Sequence, residues 1–83
     1  MAATKEDIQS WLTQGKDKGN THMIVVCDTY DWDDYPVYVS SSQNVREVYE
    51  EYNGKNMQKV MEVYSYKLPI EEQMEEKRAF HFD

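Results

Sequence analysis

One cysteine stands in a chain of 83 residues. Cys27 has no second cysteine to pair with, and a domain this small in an oxidising compartment usually needs several disulfides, so a reducing cytoplasm is the expected setting. Long apolar runs are missing too. None approaches the ~18 residues of a membrane span, and residues 1–20 lack the apolar centre of a signal peptide. Base is scarce: nine Lys and Arg face 16 Asp and Glu, for a net charge of −7. Direct binding to a nucleic-acid backbone relies on clustered cations that displace counterions, so this balance argues against it, and against an anionic membrane surface. With three glycines and two prolines, no Gly-rich phosphate loop or nucleophile elbow can be traced, nor is there a zinc-binding helix motif. No cofactor is expected, and the chain reads as a non-enzyme.

What remains is ordinary for a folded soluble protein, with 40% apolar and 30% charged residues. A chain of this length buries only about 60% of the surface its unfolded form exposes, so any core is thin. Aromatics make up 13%, with seven tyrosines, and they serve either to fill that core or to build an interface.

Local signals place six elements. Thr4 can cap a first helix with Asp7 three residues on, and Ile8, Trp11 and Leu12 form its apolar face. Gly15 or Gly19 ends it, leaving Gly15–Asn20 as a solvated turn. His22 to Asp28 is a nearly continuous apolar run, which implies a central strand covered on both faces. Val37-Tyr38-Val39 is a second strand, begun by Pro36 and joined to the first as a hairpin across roughly eight residues. Asn44 with Glu47 caps a helix whose stripe is Val45, Val48, Tyr49 and Tyr52, stopped at Asn53-Gly54. Met57 to Lys67 is a third strand, with Val60, Tyr64 and Tyr66 on one face and Met61 and Val63 on the other. Pro69 opens a last helix anchored by Ile70 and Met74. A single α+β domain follows: a three-stranded, mainly antiparallel sheet with helices on one face, in the order α-β-β-α-β-α.

The excess charge is not spread evenly. Residues 1–23 and 45–67 each balance, residues 24–44 carry four aspartates and no base, and residues 68–83 carry five acids against two bases. The first cluster, Asp28, Asp31, Asp33 and Asp34, alternates with Tyr30, Trp32 and Tyr35. Four carboxylates in seven residues repel one another and call for solvent, a cation or a basic partner. A cation loop is a poor fit, because bulky Tyr30 and Trp32 stand where a calcium loop uses small residues and a glycine. Zinc fits worse, with one Cys and two distant His. Cys27 and His22 make no nucleophilic pair: five residues of strand separate them by ~16 Å and point them to opposite faces. His81 reaches Cys27 only if the fold brings it there. A protein-binding surface remains, since Tyr and Trp are enriched at binding hot spots and acids around them steer a basic partner. Glu71, Glu72, Glu75 and Glu76 supply a second acidic segment, which with Asp83 could imitate the charge spacing of a nucleic-acid backbone.

Three stretches, Thr21–Thr29, Asp34–Val39 and Asn56–Tyr64, together resemble a set of short proteins from phage genomes and prophage regions. That resemblance implies a small accessory protein in a bacterial cytoplasm and carries no activity to any residue. The leading expectation is thus a non-enzymatic interaction protein. It would bind a host protein with a basic surface, such as a nucleic-acid-binding or defence protein, through Asp28, Tyr30, Asp31, Trp32, Asp33, Asp34, Tyr35 and the four glutamates. Two alternatives stand beside it. One is a nucleotide binder, with aromatic rings on the base and Arg46, Lys55, Lys59 and Lys67 on phosphate. The other is a homodimer paired through Val37-Tyr38-Val39 or through the third strand.

Overall fold

The computed structural model describes residues 3–16 and 18–83; Asp17, inside the expected first turn, lies outside them. The elements run α1 (Lys5–Gly15), β1 (Asn20–Asp28), β2 (Asp33–Ser40), α2 (Val45–Tyr52), β3 (Gln58–Ser65) and α3 (Ile70–Glu75). The sheet order is β2-β1-β3, antiparallel throughout, so the α+β fold and its element order are as the sequence implies.

β1 is central because Met23 to Cys27 is apolar at every position and needs cover on both faces. That need decides where the helices go. β2 and β3 both run against β1 and hence parallel to each other, so the chain between them must cross β1, and α2 makes the crossing. α2 buries Val45 and Val48 against Ile24, Val26, Val39, Val60 and Val63 on one face. α1 and α3 cover the other, where Ile8 and Leu12 meet Met23, Val25 and Tyr64, with Ile70 and Met74 packed alongside. Helices on one face only, as the sequence pattern suggested, would have left half of β1 in water.

Both longer helices start as their sequences imply. The Thr4 side chain accepts from the Asp7 N–H while the Asp7 carboxylate accepts from the Thr4 N–H. Asn44 Oδ1 accepts from the N–H groups of Arg46 and Glu47. The end of α1 is less usual. Its last turn has no basic side chain. Instead, Tyr38 of β2 donates to the Trp11 carbonyl (2.6 Å) and Tyr66 donates to the Leu12 carbonyl (2.9 Å). Burial pushes both phenols up, Tyr66 to about 12, so both remain donors across the physiological range. Gly15 makes this approach feasible, because a Cβ there would lie 2.6 Å from the Tyr66 hydroxyl and closer still to the Tyr38 ring.

Three features depart from the local pattern. β2 begins at Asp33, and Pro36 pairs with Val25 inside it; an edge strand tolerates Pro because its missing N–H takes nothing from the ladder. A bulge in β3 follows from the register, Val25 facing Glu62 and Val26 facing Val60 with Met61 between. The extra residue resets the alternation, so Val60 shares a face with Val63, and Met61 shares one with Tyr64 and Tyr66, the reverse of the simple period-two grouping. Gln73 of α3 is buried, taking the Ser65 N–H on its carbonyl and donating its amide to the carbonyls of Ser65, Leu68 and Pro69. Beyond α3 the chain returns along the outer edge of β3. Val63 donates to the Ala79 carbonyl and His81 donates to the Val63 carbonyl in a parallel bridge. Edge-paired dimerisation thus has β3 capped at its centre and β2 interrupted by Pro36.

His22 is only 5% exposed and faces the α2 side. Its Nδ1 lies 2.8 Å from Thr21 Oγ1, and the ring is shut off from solvent against the backbone of Phe82 and Asp83. Burial holds the imidazole below its ordinary 6.5, and the Lys67 charge acts the same way; the backbone of Phe82 and Asp83 and the Asp83 charge pull upward without reversing the direction. Because the unfolded state takes up this proton more readily, stability should fall as pH drops through 6.5. Thermal melts from pH 7.5 to 5.5 should show the decline, and His22→Gln should flatten it; equal slopes would remove His22 as the cause. Gly15→Ala should cost about 1–3 kcal/mol by forcing the two tyrosines away, read as a lower midpoint in denaturant.

Candidate protein-interaction surface

The aspartate-rich stretch is a tighter structure than a free loop. The β1–β2 connection spans only residues 29–32, closed by the Trp32 N–H donating to the Asp28 carbonyl (2.7 Å). Two of the carboxylates shape it: Asp28 accepts from the Tyr30 N–H (2.8 Å) and Asp31 accepts from the Asp33 N–H (3.1 Å). Short acceptors that bond backbone two residues on are turn formers, so part of the local charge is explained by folding alone. Asp34 is half-buried and accepts from the Ala3 N–H at 2.9 Å, tying the chain's first described residue to β2.

The aromatics divide. Tyr35 packs against the α2-side core and its hydroxyl meets the Gln58 amide, so it is not part of an exposed surface. Tyr30 and Trp32 stay out, 78% and 57% exposed. Lys59 of β3 lies over the Trp32 ring at 5.3 Å, a cation–π contact that helps fix the indole.

A second loop joins them. The Met57 carbonyl accepts from both the N–H and the hydroxyl of Thr29, each at 2.7 Å, which fastens the α2–β3 loop to the hairpin tip. Met57 is itself 59% exposed. Trp32, Asn56 and Met57 have φ of 61°, 53° and 59°, the positive values found on non-glycine residues of the described chain. All three sit at this end of the sheet. Asn tolerates the left-handed region; Trp and Met gain nothing from it. Strain of this kind gathers where a surface is held for use. The sequence marks Asn53-Gly54 as the stop of the second helix, but nothing in it distinguishes Met57 from the strand that follows.

The second acidic segment lies elsewhere. Asp28 pairs with Gln58 at the tip, whereas Gln73 bonds Ser65, which pairs with His22 six residues of β1 away, roughly 20 Å. Glu71 and Glu72 begin α3 beside Gln73, and Glu76 lies 2.5 Å from His81. Glu71, Glu72, Glu75 and Glu76 are exposed, yet the helix is anchored at the far end of the sheet. The four bases expected to meet one phosphate also separate, Lys55 and Lys59 toward the tip and Arg46 and Lys67 at the other end. Cys27 is buried on the α1 side, its thiol pushed up by burial and by the neighbouring Asp34 carboxylate, while His81 bonds Val63. No three His, Cys, Asp or Glu among the described residues converge as metal ligands, and no described helix is long and apolar enough to cross a membrane.

Comparison with protein-family models, curated proteins and solved structures returns no match to this chain. The tip geometry therefore carries the argument. Met57→Gly keeps the carbonyl that Thr29 needs and removes the left-handed strain, so it should leave stability unchanged or raise it by up to ~1 kcal/mol in a denaturant titration. A loss above that would make the Met57 side chain a structural requirement.

Proposed function

We propose that this chain is a non-enzymatic interaction protein that binds a basic surface of another protein through the tip formed by Tyr30, Trp32 and Met57 with Asp28, Asp31 and Asp33. The carrying observation is that three large apolar side chains stand in water on two mutually bonded loops, two of them on left-handed backbone, at the most acidic stretch of the chain. Exposed apolar groups fixed in place bind at less entropic cost than floppy ones, and carboxylates around them raise the encounter rate with a cationic partner. The resemblance to short phage proteins supports a host protein as that partner, in a bacterial cytoplasm, with a nucleic-acid-binding or defence protein as the natural target of an inhibitory ligand.

The test is a salt-graded pull-down from bacterial lysate, followed by titration of the captured protein. Replacing both Tyr30 and Trp32, as Tyr30→Ala with Trp32→Gly, should cost about 2 kcal/mol or more, roughly thirtyfold in Kd. Asp31→Asn with Asp33→Asn should mainly slow association and flatten its salt dependence. Glu71→Gln with Glu72→Gln should leave binding intact. A partner insensitive to the tip variants but lost with the α3 variants would reverse the assignment.

A further inference from the structure

Three bases of the described chain rest on aromatic rings: Arg46 on Phe82, Arg78 on Phe80 and Lys59 on Trp32. The last differs from the others in both members. Two guanidinium groups lie on phenyl rings, whereas the indole, the best of the rings for a cation, carries an ammonium. Ammonium is compact and strongly hydrated, so it is the poorer occupant of a ring face.

Lys59 also has acid close by. Its charge acts on the Cys27 thiol together with those of Asp34 and Asp28, and the Asp28 carbonyl closes the turn that carries Trp32. Yet the ion pair found among the described residues is His81 with Glu76, elsewhere in the fold. At the most acidic stretch of the chain, the Lys59 ammonium lies 5.3 Å over an indole rather than against a carboxylate. The ring face is where a cation settles at this end. Asp28 and Asp31 each use Oδ1 for the turn, accepting from the Tyr30 and Asp33 N–H groups, which leaves a second oxygen on each for another donor. A guanidinium is planar with five donors, so it can stack on a ring while its edge meets a carboxylate. An ammonium is a point charge and forgoes the stacking.

We propose, on the reading of the tip as an interaction surface, that Lys59 is an internal placeholder for an arginine side chain of the partner protein. On binding, the incoming guanidinium displaces Lys59 from the Trp32 ring, and its edge meets the second oxygens of Asp28 and Asp31. The exchange costs little, because a cation–π contact at an exposed ring is weak and the released Lys59 regains water and rotamer freedom. Until then Lys59 holds the indole in place, so the ring is ordered before the partner arrives.

The experiment titrates the full chain, at fixed ionic strength, with a capped peptide of four arginines separated by glycines and with its lysine counterpart. The Trp32 indole N–H, assigned by its loss in Trp32→Gly, reports on the ring. The arginine peptide should shift it saturably and bind at least about threefold tighter than the lysine peptide of equal charge. Lys59→Thr uncovers the ring and should tighten arginine-peptide binding by about two- to fivefold. Lys55→Gln removes one charge from the same end without uncovering the ring, and should tighten binding by less. Equal affinities for the two peptides, equal gains in the Lys55 and Lys59 variants, or weaker binding in Lys59→Thr would overturn the proposal. The tip reading itself fails on a different result, a captured partner insensitive to Tyr30→Ala with Trp32→Gly. A partner that needs Trp32 and gains nothing from Lys59→Thr removes the exchange and leaves the tip as the binding surface.

Discussion

The structure depends on burying β1 on both faces. Met23, Ile24, Val25, Val26 and Cys27 are all buried, and each large apolar side chain removed from water stabilises by about 1.5–3 kcal/mol. That gain is available only if the strand has a neighbour on each edge and a layer on each face. β2 and β3 supply the edges. Crossing from one to the other forces α2 over one face, which leaves the other face to the helices at the chain's two ends. A short chain thus builds three layers from six elements because one strand demands it.

The same demand fixes what lies at the two ends of the sheet. A β1–β2 hairpin and an α2–β3 return must both turn at the Asp28 end, so their loops are neighbours and bond through Thr29 and Met57. At the His22 end, α2 begins, β3 finishes, and the last residues return to close the edge with Phe82 set edge-on to Tyr49 at 5.2 Å. Charge follows topology. The aspartates that form the hairpin turn can only be at one end, and Arg46, in the first turn of α2, can only be at the other.

Features that depend on nearest neighbours in sequence were legible in it. The Thr4 and Asn44 caps, the Asn53-Gly54 stop and the apolar run of β1 are set by groups within four residues of one another, and the element order follows from them. What was not legible depends on distant chain. Met61 bulges because Val26 must meet Val60, a fact about register between two strands rather than about either one. Gln73 looks like one more polar residue in an acidic helix until Ser65 is brought beside it. The acidic surface was half legible: the alternation of Asp with Tyr and Trp marks the hairpin, but not that Tyr35 turns inward, that Asp28 and Asp31 serve the turn, or that Met57 joins from another loop.

That division bears on how the tip is to be understood. A turn that needed only to connect two strands would place glycine or asparagine at its left-handed position, as this chain does at Gly19 and Gly54. At the tip it places Trp32 there instead, more than half exposed, with Lys59 over its ring. The contact with Lys59 is worth about 0.5–1 kcal/mol at an exposed site, while left-handed backbone costs a side-chain-bearing residue roughly 1–2 kcal/mol. Glycine would adopt that backbone without this cost, so the chain accepts a strained conformation in order to carry an indole there. An indole held on left-handed backbone and more than half exposed, beside Tyr30 and Met57, is the feature on which the proposed interaction surface rests.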